Sequence, residues 1–171
     1  MIGIVIVGHG RLAEEYLAAI EHVMGPQKGI RAVSIAAECD RSKKQSEICD
    51  VANFVDTGTG VIVVTDMFGG SPSNLSMKAC DCDNRRILYG ANLPMLLKLA
   101  KSRTMSVDQA LNVSMEAGKK YINCCNGSAG SVCVCVCVCV YHRHRCEGGR
   151  EDAIWLETGP PPSQTCPVRF V

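Results

Sequence analysis

The 171-residue chain has no long hydrophobic run, no excess of charge of either sign and no nucleotide-binding loop. Its apolar start, Met1 to Val7, is cut off by Arg11, Glu14 and Glu15. A run of about seven residues is too short for a secretory segment with its cleavage site, or for a membrane span of about 20 residues. A soluble cytoplasmic protein is the resulting expectation. The formal charge is +1, from 18 basic and 17 acidic residues, so no basic patch points to nucleic acid or to an anionic membrane. Gly-x-Gly-x-x-Gly is absent, and Thr57-Gly58-Thr59-Gly60 is not followed by Gly-Lys-Ser/Thr, which fails the phosphate-loop pattern. Metal spacing is also lacking: Cys39, Cys49, Cys80 and Cys82 are not set in pairs with histidine, and Cys80-Asp81-Cys82 alone is a weak signal. In a reducing compartment these four read as ordinary thiols.

What is present is a repeated alternation. Met1 to Val7 is apolar and β-branched without a polar face, which suits a parallel strand covered on both sides. Leu12, Ala13, Tyr16, Leu17, Ile20 and Val23 then mark one face of a helix ending near Met24, where Gly25-Pro26 stops it. Ile30 to Ala36 predicts a second strand. Arg41 to Asp56 predicts a helix with Ile48, Val51, Ala52 and Val55 inward and Ser42 as a candidate cap. Val61 to Thr65 is the clearest strand, and Asp66 follows at its carboxyl end. Ser71 is placed to cap a short helix running to about Ala79, with Pro72 in its first turn. Arg86 to Ala91 predicts a fourth strand, and Asn92 with Pro94 opens a helix to about Lys101. Ser106 with Gln109 forms a capping box, opening a helix to about Tyr121. Four strand–helix alternations imply an α/β fold, a four-stranded parallel sheet wound by helices on both faces.

Right-handed crossovers bring all strand ends to one edge. His9, between Gly8 and Gly10, and Asp66 leave the first and third strands there, so they can meet. Position alone leaves His9 open between a loop residue and a chemical group, and Asp66 between a turn cap and its partner. If they pair, the carboxylate fixes the imidazole tautomer and leaves the other ring nitrogen as a nucleophile. An incoming phosphoryl group needs N–H donors, which the glycine-rich helix starts at Gly10 and at Gly69-Gly70-Ser71 supply. Such a transfer is mainly positioning and electrostatics, and no carboxylate cluster calls for a metal. Arg11, Glu14 and Glu15 read as a solvated helix face, with Arg11 a weak candidate for greeting an acidic partner or a phosphate, and His22 as structural or exposed.

The strings IVIVGHGRLAEEYL, VIVVTDMFGGSPSNLSM and YGANLPMLLKLA resemble, in order and over residues 1–122, the enzyme IIA domain of the mannose-type bacterial phosphotransferase system. That resemblance implies a metal-independent phosphotransferase component without cofactor, usually a homodimer. His9 would take phosphate from the carrier HPr and pass it to enzyme IIB, meeting the membrane only through the transporter complex. Asp66 would be the hydrogen-bonding partner of His9, with Gly69, Gly70 and Ser71 around the phosphate. A regulatory phosphoacceptor without a transporter, the related subunit of a dihydroxyacetone kinase, and a plain nucleotide- or flavin-binding module are the alternatives. The family commonly carries Thr or Ser where this chain has Gly8, which implies a missing hydroxyl donor near the phosphate.

Residues 123–171 depart further, holding the strict Val–Cys alternation from Val132 to Val140. The alternation has strand period, and Cys139, His142, His144 and Cys146 offer metal ligands. A TG dinucleotide repeat encodes the same pattern, so a disordered or frameshifted tail is the expectation. The tail is also too short for a complete enzyme IIB domain, so a stand-alone IIA is expected.

Overall fold

The structure is a computed structural model that describes residues 1–124. The expectations for the tail, its Val–Cys run and its candidate ligands lie outside those residues from 125 onward.

Four strands, β1 (Gly3–His9), β2 (Ile30–Ile35), β3 (Val61–Thr65) and β4 (Arg85–Tyr89), form one parallel sheet in the order β2-β1-β3-β4. The helices are α1 (Leu12–Met24), α2 (Arg41–Val55), α3 (Ser71–Ser76, continued by a 3₁₀ turn over Met77–Cys80), α4 (Leu93–Lys101) and α5 (Val107–Lys120). The uninterrupted apolar strands are explained by cover on both faces. Ile2, Ile4 and Ile6 point to one side, packing with Ala13 and Ile20 of α1, Met95, Leu96 and Leu99 of α4, and Ala110 of α5. Val5 and Val7 point to the other, with Val33, Ile35, Val61 and Val63, under Ile48, Ala52 and Val55 of α2 and Leu75 after β3. Strand period two thus splits each strand between two cores.

β3 matches its expected bounds, while β1 begins later than expected and extends to His9, paired with Ile35 of β2. Asn92 accepts from the Met95 N–H at 3.0 Å, and Ser106 and Gln109 close the expected capping box. Two cap assignments are corrected. Asp40, not Ser42, caps α2 by accepting from the Lys43 N–H at 3.1 Å. Gly70 occupies the cap position of α3, so Ser71 is already helical and makes no capping bond. In both places the chain enters the helix one or two residues earlier than the hydroxyl suggested, and a residue inside the first turn cannot reach forward to cap it.

A buried arginine ties the amino edge together. Arg103, after α4, is 6% exposed. Its Nε donates to the Ile2 carbonyl at 2.7 Å and its Nη1 to the Lys28 carbonyl at 2.6 Å. Its own carbonyl accepts from the Ile2 N–H at 2.8 Å.

Candidate functional site

The chain runs from β1 outward to β2 and then crosses back to β3 on the other side of β1, so the sheet reverses its direction of growth between β1 and β3. Loops leaving the carboxyl ends of two such strands diverge and open a crevice. His9 ends β1 and Asp66 directly follows β3, next to each other across that opening.

The two residues expected to meet do meet. The Asp66 Oδ2 lies 2.8 Å from His9 Nδ1 and also accepts from the His9 backbone N–H at 2.9 Å. Asp66 Oδ1 accepts from the Met67 N–H at 2.8 Å. The carboxylate is held from three directions and cannot rotate away. Burial raises its pKa, but the His9 backbone and ring bonds, the His9 charge and the Met67 N–H outweigh this, and the carboxyl rests below its ordinary range. The Asp66 side chain is 11% exposed and that of His9 is 47% exposed. With Nδ1 occupied, Nε2 is the ring nitrogen left to react.

Gly70 presses on the same ring. A β-carbon there would stand 2.9 Å from His9 Cε1 and 3.4 Å from Nε2. Its φ of −77° and ψ of 172° suit any residue, so glycine is required here by space alone. Gly69 differs: its φ is +79° and nothing stands near its missing side chain, so the turn itself requires glycine. Among the described residues, the N–H groups of Gly69, Gly70 and Ser71 make no hydrogen bond within the chain. Gly10 also has positive φ, +54°, but its N–H is engaged with the Ile35 carbonyl at 2.9 Å. The Gly10 N–H is thus engaged, while the N–H groups of the β3–α3 turn are open to an anion.

A cavity of about 360 Å³ opens beside the ring, lined by His9, Gly10, Ile35, Cys39, Arg41 and Ser71 among others. Arg41 carries no local signal in the sequence, being a basic residue at the start of a polar helix. Arg11 is occupied by Glu14 and Glu15, each at 3.3 Å, on the solvated face expected for it. His22 is exposed near the end of α1. A β-carbon at Gly8 would stand 3.1 Å from the Ala13 nitrogen, so a hydroxyl side chain there would sit against the uncapped start of α1. Tyr16 braces the rim, its hydroxyl donating to the Ala91 carbonyl at 2.9 Å. Its pKa is raised by burial and then by the Asp66 charge. Among the described residues no cluster of three His, Cys, Asp or Glu side chains is arranged to hold a metal ion, and no helix is long and apolar enough to cross a membrane.

The wound parallel sheet, with a carboxylate-braced histidine at its switch point, places the chain among the α/β domains that carry their site at the carboxyl edge of the sheet. The chain belongs to one family of that class, the mannose-type IIA components of the phosphotransferase system: the family model described as PTS system fructose IIA component matches residues 3–115. It is 29% identical over 128 residues to the PTS system mannose-specific EIIAB component of Escherichia coli K12, covering 71% of this chain and 38% of that protein. The chain thus spans well under half the length of that relative. It is 31% identical over 128 residues to YadI of the same organism, an enzyme IIA component by name, covering 72% of this chain and 86% of YadI. Among solved structures it is similar to the mannose/sorbose specific IIA subunit of Enterococcus faecalis, with 25% identity, a TM-score of 0.68, and coverage of 76% and 98%. It is also similar to the EIIA component of Streptococcus agalactiae, with 25% identity, a TM-score of 0.62, and coverage of 72% and 97%.

Proposed function

We propose that this chain is a phosphohistidine carrier of the sugar phosphotransferase system, taking a phosphoryl group from HPr onto His9 and passing it to an enzyme IIB. The observation that carries the reading is the 2.8 Å contact between His9 Nδ1 and Asp66 Oδ2, which leaves Nε2 as the unbonded nitrogen of a half-exposed ring. In the transfer, the Nε2 lone pair forms a bond to phosphorus as the donor's phosphorus–nitrogen bond breaks and its electron pair returns to the donor imidazole. The Nδ1 proton stays on the ring, held by Asp66, whose charge offsets the positive charge developing there. The free N–H groups of Gly69, Gly70 and Ser71, with the Ser71 hydroxyl, face the phosphoryl oxygens. Passing the group on to enzyme IIB reverses the same steps.

The carrier works in the cytoplasm, where its donor is charged, and acts as a homodimer. In support of the dimer, β4 pairs only with β3 among the described residues, which leaves an open edge. Beside that edge Ile87, Tyr89, Met95, Met115 and Ile122 line an apolar groove, and Ile122 is 78% exposed. An unpaired edge beside apolar surface favours strand addition.

The test is incubation with enzyme I, HPr and labelled phosphoenolpyruvate. Base-stable, acid-labile label is expected on the protein, absent in His9→Ala and formed more slowly in Asp66→Ala. Label that persists in His9→Ala overturns the assignment. Sedimentation of the purified protein checks the dimer.

A further inference from the structure

Arg41 is the first residue of α2, a helix with no acidic residue in its first turn. A cation at a helix start is disfavoured by the helix dipole, and its neighbours are neutralised: Lys43 pairs with Asp40 at 3.7 Å and Lys44 with Glu47 at 2.8 Å. Among the described residues, Arg41 makes no ion pair and no side-chain hydrogen bond. It lines the same cavity as His9, Gly10 and Ser71, and among the described residues it is the one basic residue on that wall apart from His9. A phosphoryl group on Nε2 would carry nearly two negative charges beside the Asp66 carboxylate, an unfavourable pairing that needs a compensating cation. Arg11, the other guanidinium near the strand end, is already spent on Glu14 and Glu15. A planar guanidinium suits phosphoryl oxygens through paired N–H donors.

We propose that Arg41 closes over the phosphorylated His9 and holds the phosphoryl oxygens from the α2 side, opposite the β3–α3 turn. This rests on the phosphocarrier reading. Arg41 is thus a residue that stabilises the loaded state of the carrier.

The experiment measures the equilibrium distribution of phosphoryl groups between HPr and this protein, for wild type, Arg41→Gln and Arg41→Lys. An equilibrium between the free phosphorylated forms is independent of how tightly the two proteins dock, so it separates a contact to the phosphoryl group from a contact to HPr. Arg41→Gln is expected to shift the equilibrium about tenfold toward phospho-HPr, the scale of one partly exposed charge-assisted hydrogen bond. Arg41→Lys is expected to recover part of it, because the charge remains and the fork is lost. An unchanged equilibrium in Arg41→Gln overturns the proposal, including the case where only KM for HPr rises, which assigns Arg41 to docking. Wild-type protein that takes no label, or His9→Ala that does, overturns the carrier reading itself and Arg41's role with it.

Discussion

The contact between Gly70 and the His9 ring makes Gly70→Ala an incisive perturbation. The new methyl carbon would stand 2.9 Å from Cε1 and 3.3 Å from Met67 Cγ, well inside van der Waals contact. The ring is the softer neighbour, being the exposed end of a side chain, so it swings away from Gly70 and out of line with Asp66. A charge-assisted hydrogen bond is worth about 1.5–3 kcal/mol when well enclosed. With the His9 side chain 47% exposed, screening reduces that to about 1–1.5 kcal/mol. Loss of this support as charge develops on the ring slows transfer by roughly tenfold. The fold changes little: φ −77° is comfortable for alanine, and restricting the unfolded chain, worth about 0.4–1 kcal/mol, offsets most of the lost ring bond. Rapid-quench transfer from phospho-HPr, alongside thermal unfolding, reads both effects. A transfer rate within about twofold of wild type, or a loss of rate that tracks a loss of stability, would refute the claim that space against the ring requires this glycine. Gly69→Ala is the contrasting control: at φ +79° with open space around it, it is expected to cost about 1 kcal/mol of stability without displacing the ring.

Three further outcomes are expected. Asp66 has a folded-state pKa below its ordinary value, so its ionised form adds stability that is full above the ordinary carboxylate range and is lost as pH falls through the depressed pKa. Asp66→Asn should therefore flatten the acid limb of a stability–pH curve below about pH 4 while slowing transfer, and an unaltered acid limb counts against the bonding pattern. Arg103→Ala strips the Ile2 and Lys28 carbonyls of their donor; a loss of about 2–4 kcal/mol in urea unfolding with an unchanged transfer rate per folded molecule is expected. Burial pushes the Cys80 thiol up to about 11, whereas Cys82 is exposed; at pH 8, site-resolved mass spectrometry after brief alkylation should find Cys82 modified well before Cys80.

Much of the scaffold is written locally. The β-branched runs of β1 and β3, the stop at Gly25-Pro26, the Asn92 cap and the Ser106–Gln109 box each act within a few residues, and the described structure has all of them. Ser42 and Ser71 fail as caps for the same reason: the helix starts just before each, at the Asp40 carboxylate two residues earlier and at Gly70 one residue earlier, and a short polar stretch offers more than one candidate start. That His9 and Asp66 share one edge follows from strand order along the chain, which is why the pair could be anticipated across 57 residues of separation.

Amino-acid order alone determined the parallel wound sheet, both of its apolar faces, and which polar residues leave at its carboxyl edge, because period and turn chemistry are short-range properties. Tertiary structure alone decided the rest. Placing β3 against β1 made one carboxylate oxygen serve both the backbone and the ring of His9, set Gly70 against that ring, brought Arg41 to the same cavity wall and sank Arg103 beneath the strand starts. Each of these depends on distances between elements far apart in the chain, and only the packed sheet defines such distances.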